Sequence, residues 1–223
     1  RMSYIEEGSG EPILSCHGIC GGYDQAYDTL VDKEDSYRII APSRFGYPGS
    51  DIPKEPTIEK QVEAYRELLD ELQISKTYVI ATSAGGPSAI KFALTYPERT
   101  KGLLLYCSGY PRMEAPEKEI FYAGPPSFLC NDFAMWLISP LFKPIMGMEQ
   151  STIKMIMPFK NKREGIVFDA KVTNTDMHNH YQKYNMSRME VPTLIIHAKD
   201  DKLAPYGDVV QWVEAIPDCT ALF

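Results

Sequence analysis

No run of 18 apolar residues occurs in this chain, so no segment reads as a membrane-spanning helix. The nearest candidate, FAMWLISPLF at 133–142, is too short and carries a proline. Positive charge is scarce as well: 23 Lys and Arg stand against 30 Asp and Glu, a formal net charge of -7. Nucleic-acid backbones and anionic membrane surfaces are bound by clustered cations, so neither is an expected partner. The five cysteines (Cys16, Cys20, Cys107, Cys130, Cys219) are odd in number and scattered. Cys16-x-x-x-Cys20 lacks the C-x-x-C spacing and no second pair follows it. The thiols therefore read as small buried hydrophobes in a reducing, cytoplasmic compartment. Gly21-Gly22 has neither G-x-x-x-x-G-K spacing nor a nearby lysine, which excludes a phosphate loop. Internal repeats and low-complexity tracts are absent too.

What remains is a chain of ordinary globular make-up, 223 residues with 44% hydrophobic content, enough for one domain with a sizeable core. PILSC at 12–16 and YRIIA at 37–41 read as short apolar strands, each followed by a loop rich in Gly, Pro or Ser. TIEKQVEAYRELLDELQ at 57–73 places apolar residues at 58, 62, 65, 69 and 72, the stripe of a helix, with Thr57 as N-cap. YVIA at 78–81 is the next strand, and Pro87 lies early in the helix after it, where a missing N–H costs least. GLLLYC at 102–107 is a near-continuous apolar strand, as in a parallel sheet covered on both faces. Strand and helix alternate, which indicates a parallel α/β sheet. From Ser108 to about Met189 the rhythm stops, leaving helical-looking pieces rich in Met, Phe and Pro. A connection of roughly eighty residues, against a usual 2 to 6, is a subdomain. The alternation resumes with the strand in PTLIIHAKDD, a helix at about 206–216, and CTALF as a last strand.

The chemistry gathers at strand ends, where open α/β sheets carry their functional loops. YVIATSAGG at 78–86 runs a strand without a spacer into Ser83. This approximates the nucleophile elbow Gly-x-Ser-x-Gly, with Ala81 in the first glycine position, a residue still small enough for strand and helix to approach. The alternative is a serine in an ordinary strand-to-helix turn. His17-Gly18-Ile19 follows the first apolar strand, and Asp200-Asp201 follows the strand at 193–197. A serine hydroxyl needs a base to take its proton and donors to hold the oxyanion formed on attack. The backbone N–H groups of Ala84 and Ile19 are the candidate donors. Arg44 either binds a substrate anion or fixes its loop through an ion pair or backbone contacts, and the second is expected. His178 and His180 form an H-x-H pair with no carboxylate or cysteine cluster beside it, so solvated or packed histidines fit better than a metal site.

HGICGG (17–22), SRFGYPGSD (43–51), ATSAGG (81–86) and PTLIIHAKDDKLAP (192–205) together resemble the α/β-hydrolase superfamily, in its capped, single-domain branch of esterases, lactonases, peptidases and related hydrolases. The resemblance keeps the family's order along almost the whole chain. It implies a mostly parallel sheet covered by helices on both faces, with a core of residues 1–107 and 190–223 and a helical cap at 108–189. It implies Ser83 as nucleophile, Ile19 and Ala84 as oxyanion hole, and Asp201 rather than Asp200 as the acid that orients the base. Asp200 is then the better candidate for capping the turn. No cofactor and no metal are implied; the partner is a small-molecule substrate. The apolar cap residues Phe133, Met135, Trp136, Leu137, Phe142, Met146 and Met148 read as a pocket wall, favouring an uncharged or weakly polar acyl group.

Ala81 is a mild departure from the family's pattern. The larger one is that no histidine follows Asp201, although the family's order is Ser, acid, His. The histidine is expected just past Phe223, because CTALF reads as an unfinished strand. The chain also begins at Arg1, already strand-like by Met2, which leaves room for a signal peptide upstream. Carbon–carbon bond hydrolysis, a cofactor-free haloperoxidase-like reaction, and a non-catalytic relative that binds a small ligand are the alternatives. A haloalkane dehalogenase is disfavoured, since it needs a carboxylate nucleophile where this chain has Ser83.

Overall fold

Seven strands form a single sheet: β1 (Tyr4–Glu7), β2 (Glu11–Cys16), β3 (Tyr37–Pro42), β4 (Thr77–Ser83), β5 (Thr100–Ser108), β6 (Thr193–Ile196) and β7 (Cys219–Leu222). The computed structural model describes residues 1–146 and 156–223. The strand order is β1-β3-β2-β4-β5-β6-β7. β1 lies antiparallel to β3, and all other pairs are parallel. The α-helices among the described residues are α1 (Tyr23–Asp28), α2 (Ile58–Glu71), α3 (Gly86–Thr95), α4 (Asp132–Ile138), α5 (Phe142–Met146), α6 (Arg163–Phe168), α7 (Asn174–Asn179) and α8 (Tyr206–Ala215). This is the α/β architecture expected from the alternation.

Successive strand residues face opposite sides, and the sequence fills both sides with apolar groups. Leu14, Cys16, Ile40, Val79, Ala81, Leu103, Leu105 and Ile195 pack on one face, against residues of α2, α3 and α8. Their neighbours Ile13, Ile39, Ala41 and Ile80 pack on the other, against Ala26 of α1 and Leu30. Each fully buried Leu, Ile or Val contributes about 1.5–3 kcal/mol. In α2 the stripe Ile58, Val62, Tyr65 and Leu69 is buried as its spacing predicts. The Thr57 side chain accepts a hydrogen bond from Lys60 N at 3.2 Å, which makes it the N-cap. The helix α1 has no counterpart in the sequence reading, because YDQAYD offers one buried residue, Ala26, instead of a stripe.

Between β5 and β6, every described element is helical. The helices α6 and α7 are joined without a break by a π-helical segment, Asp169–Thr173, giving one continuous rod from 163 to 179. The inserted segment meets the loops after β2 and β3 through a small apolar cluster of Cys20, Tyr47, Cys130, Met135, Ile156, Phe159 and Ile166.

Candidate active site

The turn from β4 into α3 carries Ser83 at φ +50, a left-handed backbone that non-glycine residues adopt at a cost of about 1–3 kcal/mol. Its surroundings hold it there. The Ser83 carbonyl accepts from Ser108 Oγ and from Gly109 N, both at 3.0 Å. In the sheet Thr82 lies opposite Tyr106 but Ser83 opposite Ser108, so Cys107 bulges out, itself at φ +40. A Cβ on Gly85 would stand 2.4 Å from the Cys16 carbonyl oxygen, and one on Gly86 would stand 2.2 Å from Ser108 Oγ. Those contacts explain why two glycines follow Ala84: the chain turns hard against its neighbours. Ser83 Oγ makes no hydrogen bond among the described residues.

The loop after β2 comes directly to this turn. A Cβ on Gly18 would lie 3.1 Å from Ser83 Cβ. Gly18 N donates to Gln25 Oε1 at 2.8 Å. The N–H groups of Ile19 and Ala84, both expected donors, make no hydrogen bond among the described residues. His17 is fully buried and its hydrogen bonds fix its tautomer. Arg44 N donates to Nε2 at 2.9 Å, so Nδ1 holds the proton and donates to the Gly18 carbonyl at 2.7 Å. Burial, with the Arg44 charge adding to it, holds the imidazole well below its usual value of 6.5. His17 is thus a neutral structural group, not a base.

Arg44 sits beneath the same loop with 1% of its surface exposed, paired with Asp169 at 0%. The guanidinium makes a two-pronged contact with the Asp169 carboxylate, NH1 to Oδ1 and NH2 to Oδ2. Its Nε and NH2 also donate to the His17 and Gly18 carbonyls, each at 3.2 Å. Tyr47 OH donates to Asp169 Oδ2 at 2.5 Å. Burial, the largest single influence, lowers the guanidinium pKa, but Asp169, Tyr47 and Tyr65 together outweigh it and the net shift is upward, so Arg44 stays charged. The phenol of Tyr47 is pushed well above 10, by burial first and Asp169 second. This is the loop-fixing ion pair expected of Arg44. Its partner, Asp169, was not foreseen.

Asp201 lies in the turn after β6. Its Oδ1 accepts from Leu203 N at 2.8 Å and Ala204 N at 3.0 Å, while Oδ2 lies 3.9 Å from His197 Nε2. One carboxylate oxygen is therefore anchored and the other has accepting capacity left. Asp200 is exposed and makes no side-chain hydrogen bond, so the turn-capping expected of Asp200 belongs to Asp201. His197 donates from Nε2 to the Ala204 carbonyl at 2.8 Å, and its Nδ1 is buried without a partner. Cys107, His197 and Asp201 bring potential ligand atoms within 4.8 Å of one another, the group of three among the described residues closest to a metal site. His178 and His180 contact the Lys118 carbonyl and Asp176 separately.

The inserted segment touches this region through its α6–α7 rod. A Cβ on Gly109 would lie 3.6 Å from Met177 Cε, and one on Gly124 would meet Ala170 and the Ile19 side chain. The expected apolar wall is otherwise corrected: Phe133 is 70%, Trp136 67% and Leu137 60% exposed. Of that group Met135 is buried and Phe142 half-buried, in the small cluster under the segment. Met148 and the Met146 side chain fall outside the described residues. Two clefts of about 490 and 500 Å³ line the outer part of the segment, around Asp132 and Lys160 and around Ile52 and Val172; neither includes Ser83.

A family model described as alpha/beta hydrolase fold matches residues 11–222. The chain belongs to this family. An uncharacterised hydrolase of Bacillus subtilis (strain 168) is 41% identical over 104 residues, 47% of this chain and 37% of the relative. A 2-hydroxy-6-oxo-6-phenylhexa-2,4-dienoate hydrolase of Burkholderia cepacia is 24% identical over 98% of this chain and 81% of its own length. Among solved structures, a thermophilic esterase from Thermogutta terrifontis superposes with a TM-score of 0.76 at 19% identity, covering 99% of this chain and 83% of the esterase. Ser83 stands at the C-terminal end of β4, in the turn into α3. No helix among the described residues is long and apolar enough to cross a membrane.

Proposed function

We propose that this member of the alpha/beta hydrolase fold family is a serine hydrolase cleaving a small, largely apolar carboxylic ester or related acyl substrate through an acyl-enzyme. The carrying observation is the strained Ser83, with a free hydroxyl, set against a loop whose Ile19 amide is unpaired and followed by an equally unpaired Ala84 amide. Ser83 Oγ attacks the carbonyl, and the Ile19 and Ala84 N–H groups hold the resulting oxyanion. A base takes the Ser83 proton and returns it to the leaving group; water then releases the acyl group. Asp201 Oδ2 orients that base, with Oδ1 anchored by two backbone amides. Resemblance to the family implies a histidine as that base; His17 and His197 are buried and committed to their own loops, so neither of them serves. Residues 108–189 act as the cap, and the core comprises 1–107 and 190–223. Support for an apolar acyl group now comes from Ile19 and Met177, beside the elbow, instead of Phe133, Trp136 and Leu137.

The second reading is carbon–carbon bond hydrolysis with the same residues, favoured by the match to the Burkholderia cepacia hydrolase along 98% of this chain. A fluorophosphonate probe tests the shared core of both readings, because it labels an activated serine without needing the right substrate. The protein is expected to take one adduct on Ser83, and Ser83→Ala none. Asp201→Asn should then lower kcat by up to about 10⁴-fold while Asp200→Asn changes it little. A folded protein that neither labels nor hydrolyses p-nitrophenyl esters, lactones or vinylogous diketones would overturn the enzyme reading in favour of a ligand-binding relative.

A further inference from the structure

We infer that Asp169 is a positioning residue for the oxyanion hole, aiming the Ile19 amide through Arg44 and the Gly18 carbonyl; this rests on the hydrolase reading above. The argument is one of peptide geometry. The Gly18–Ile19 peptide is trans, so its C=O and N–H point in opposite directions in one plane. The Gly18 carbonyl accepts from His17 Nδ1 at 2.7 Å and Arg44 NH2 at 3.2 Å, below the loop, and from Gly21 N at 3.3 Å within it. With the carbonyl held down, the Ile19 N–H is turned away from Arg44, and Gly18 itself lies against Ser83. Arg44 has nowhere else to put these donors, because Asp169 holds the far side of its guanidinium in a fork. Asp169 is in turn fixed by Tyr47 OH at 2.5 Å.

Asp169 opens the π-helical segment of the rod that joins the inserted segment to the core. Single π turns inside α-helices shift a side chain's direction and are frequent at functional sites. Here the turn delivers a carboxylate to a cation 125 positions away in sequence. The placement of the inserted segment and the aim of the oxyanion donor are therefore set by one buried contact. A substrate that moves the rod also moves the donor.

The test compares Asp169→Asn, Asp169→Glu and Tyr47→Phe with wild type, with turnover counted per labelled Ser83 so that unfolded molecules drop out. Removing one oxyanion donor outright costs about 10²–10³ in kcat. Misaiming one in Asp169→Asn should cost roughly 10–100-fold in kcat with KM changed less than about threefold. Asp169→Glu, which keeps the charge, should recover part of it, and Tyr47→Phe should lose less than Asp169→Asn. The acyl-enzyme carbonyl stretch should move to higher wavenumber in Asp169→Asn. Amide hydrogen exchange at Gly18 and Gly21, whose N–H groups donate to Gln25 Oε1 and to the Gly18 carbonyl, should quicken in Asp169→Asn but not in Asp169→Glu, a readout that does not need activity. If wild type fails to label, the hydrolase reading falls, and exchange still decides whether Asp169 holds the loop. Unchanged kcat per labelled site and unchanged exchange in Asp169→Asn, with only a lower melting temperature, would reduce the pair to a structural one and overturn the inference.

Discussion

The chain has two tryptophans, one on the sheet body and one in the inserted segment, and they meet opposite fates. Trp212 on α8 is 3% exposed and donates from Nε1 to the Pro111 carbonyl at 2.8 Å. Trp136 on α4 is 67% exposed and has one aromatic neighbour among the described residues, Phe133, at 6.2 Å between ring centres. The difference follows from how each region is built. A helix on the sheet body faces strands whose inward residues alternate by construction, so every ring on its buried side finds partners. The outer part of the inserted segment has no sheet to lie on. It is tied down through the α6–α7 rod, where Ile166, Phe168, Asp169, Ala170 and Thr173 are buried, and through Met135.

The comparison breaks most violently at Trp212. Trp212→Ala removes a large buried ring and leaves the Pro111 carbonyl without its donor, an expected loss of about 3–5 kcal/mol. Denaturant unfolding measures it, and a loss below 1 kcal/mol would mean that α8 is not seated as described. Next in size is Gly85→Ala. Its Cβ would stand 2.4 Å and 2.8 Å from the carbonyl oxygens of Cys16 and His17, backbone atoms that cannot swing aside. Overpacking of this kind costs about 1–3 kcal/mol, and here it also pushes the elbow away from the loop that bears Ile19. Activity should therefore fall by more than the loss of folded protein explains.

What the sequence revealed of this contrast was uneven, for physical reasons. Strands and long helices were legible because burial on a sheet imposes a period, as in Ile58, Val62, Tyr65 and Leu69. The hard turn after β4 is legible because YVIATSAGG runs a strand straight into small residues at 84–86, where a Cβ on Gly85 or Gly86 would strike neighbouring atoms. Arg44 was legible as a loop-fixing cation. Its partner was not, because nothing in REGIVFDAKV marks one aspartate as the residue that will meet a cation 125 positions earlier. The turn role of Asp201 was given to Asp200, since adjacent aspartates differ only in where the turn aims them. Phe133, Trp136 and Leu137 read as a pocket wall in the sequence because apolar residues announce that a helix can bury a face, not that a partner is there.

The third prediction concerns pH and separates the loop beneath the elbow from the solvated surface. His17 is held neutral by burial and by Arg44, well below its usual 6.5. In the unfolded chain it takes up a proton near that value, so between its folded and unfolded pKa values the unfolded state binds more protons. Stability contributed by a neutral His17 is thus present above about pH 6.5 and lost as the pH falls below it, by at most about 1.4 kcal/mol per pH unit. Proton NMR of the ring should show His17 silent from pH 8 to 5 in the native protein and titrating normally in urea. A native His17 resonance with a midpoint near 6.5 would contradict the burial of the loop.

The smallest expected effect sharpens the comparison most. Trp136→Ser takes a ring away from solvent, not from a core, so stability should change by less than about 0.5 kcal/mol. Its neighbour on the same helix, Met135, packs with Tyr47, Cys130, Phe159 and Ile166, and Met135→Ala should cost several times more. With two tryptophans in the chain, fluorescence reads each region separately. Wild type should show a red-shifted component that iodide quenches readily, from Trp136. In Trp136→Ser the emission should shift to the blue and become almost inaccessible to iodide, because Trp212 alone remains, buried and hydrogen-bonded to Pro111. Were Trp136→Ser to destabilise the protein by more than 1 kcal/mol, or leave the iodide-accessible fraction unchanged, the outer face of α4 would have to be covered in solution. The contrast between the two regions would then belong to the isolated chain and not to the molecule in water.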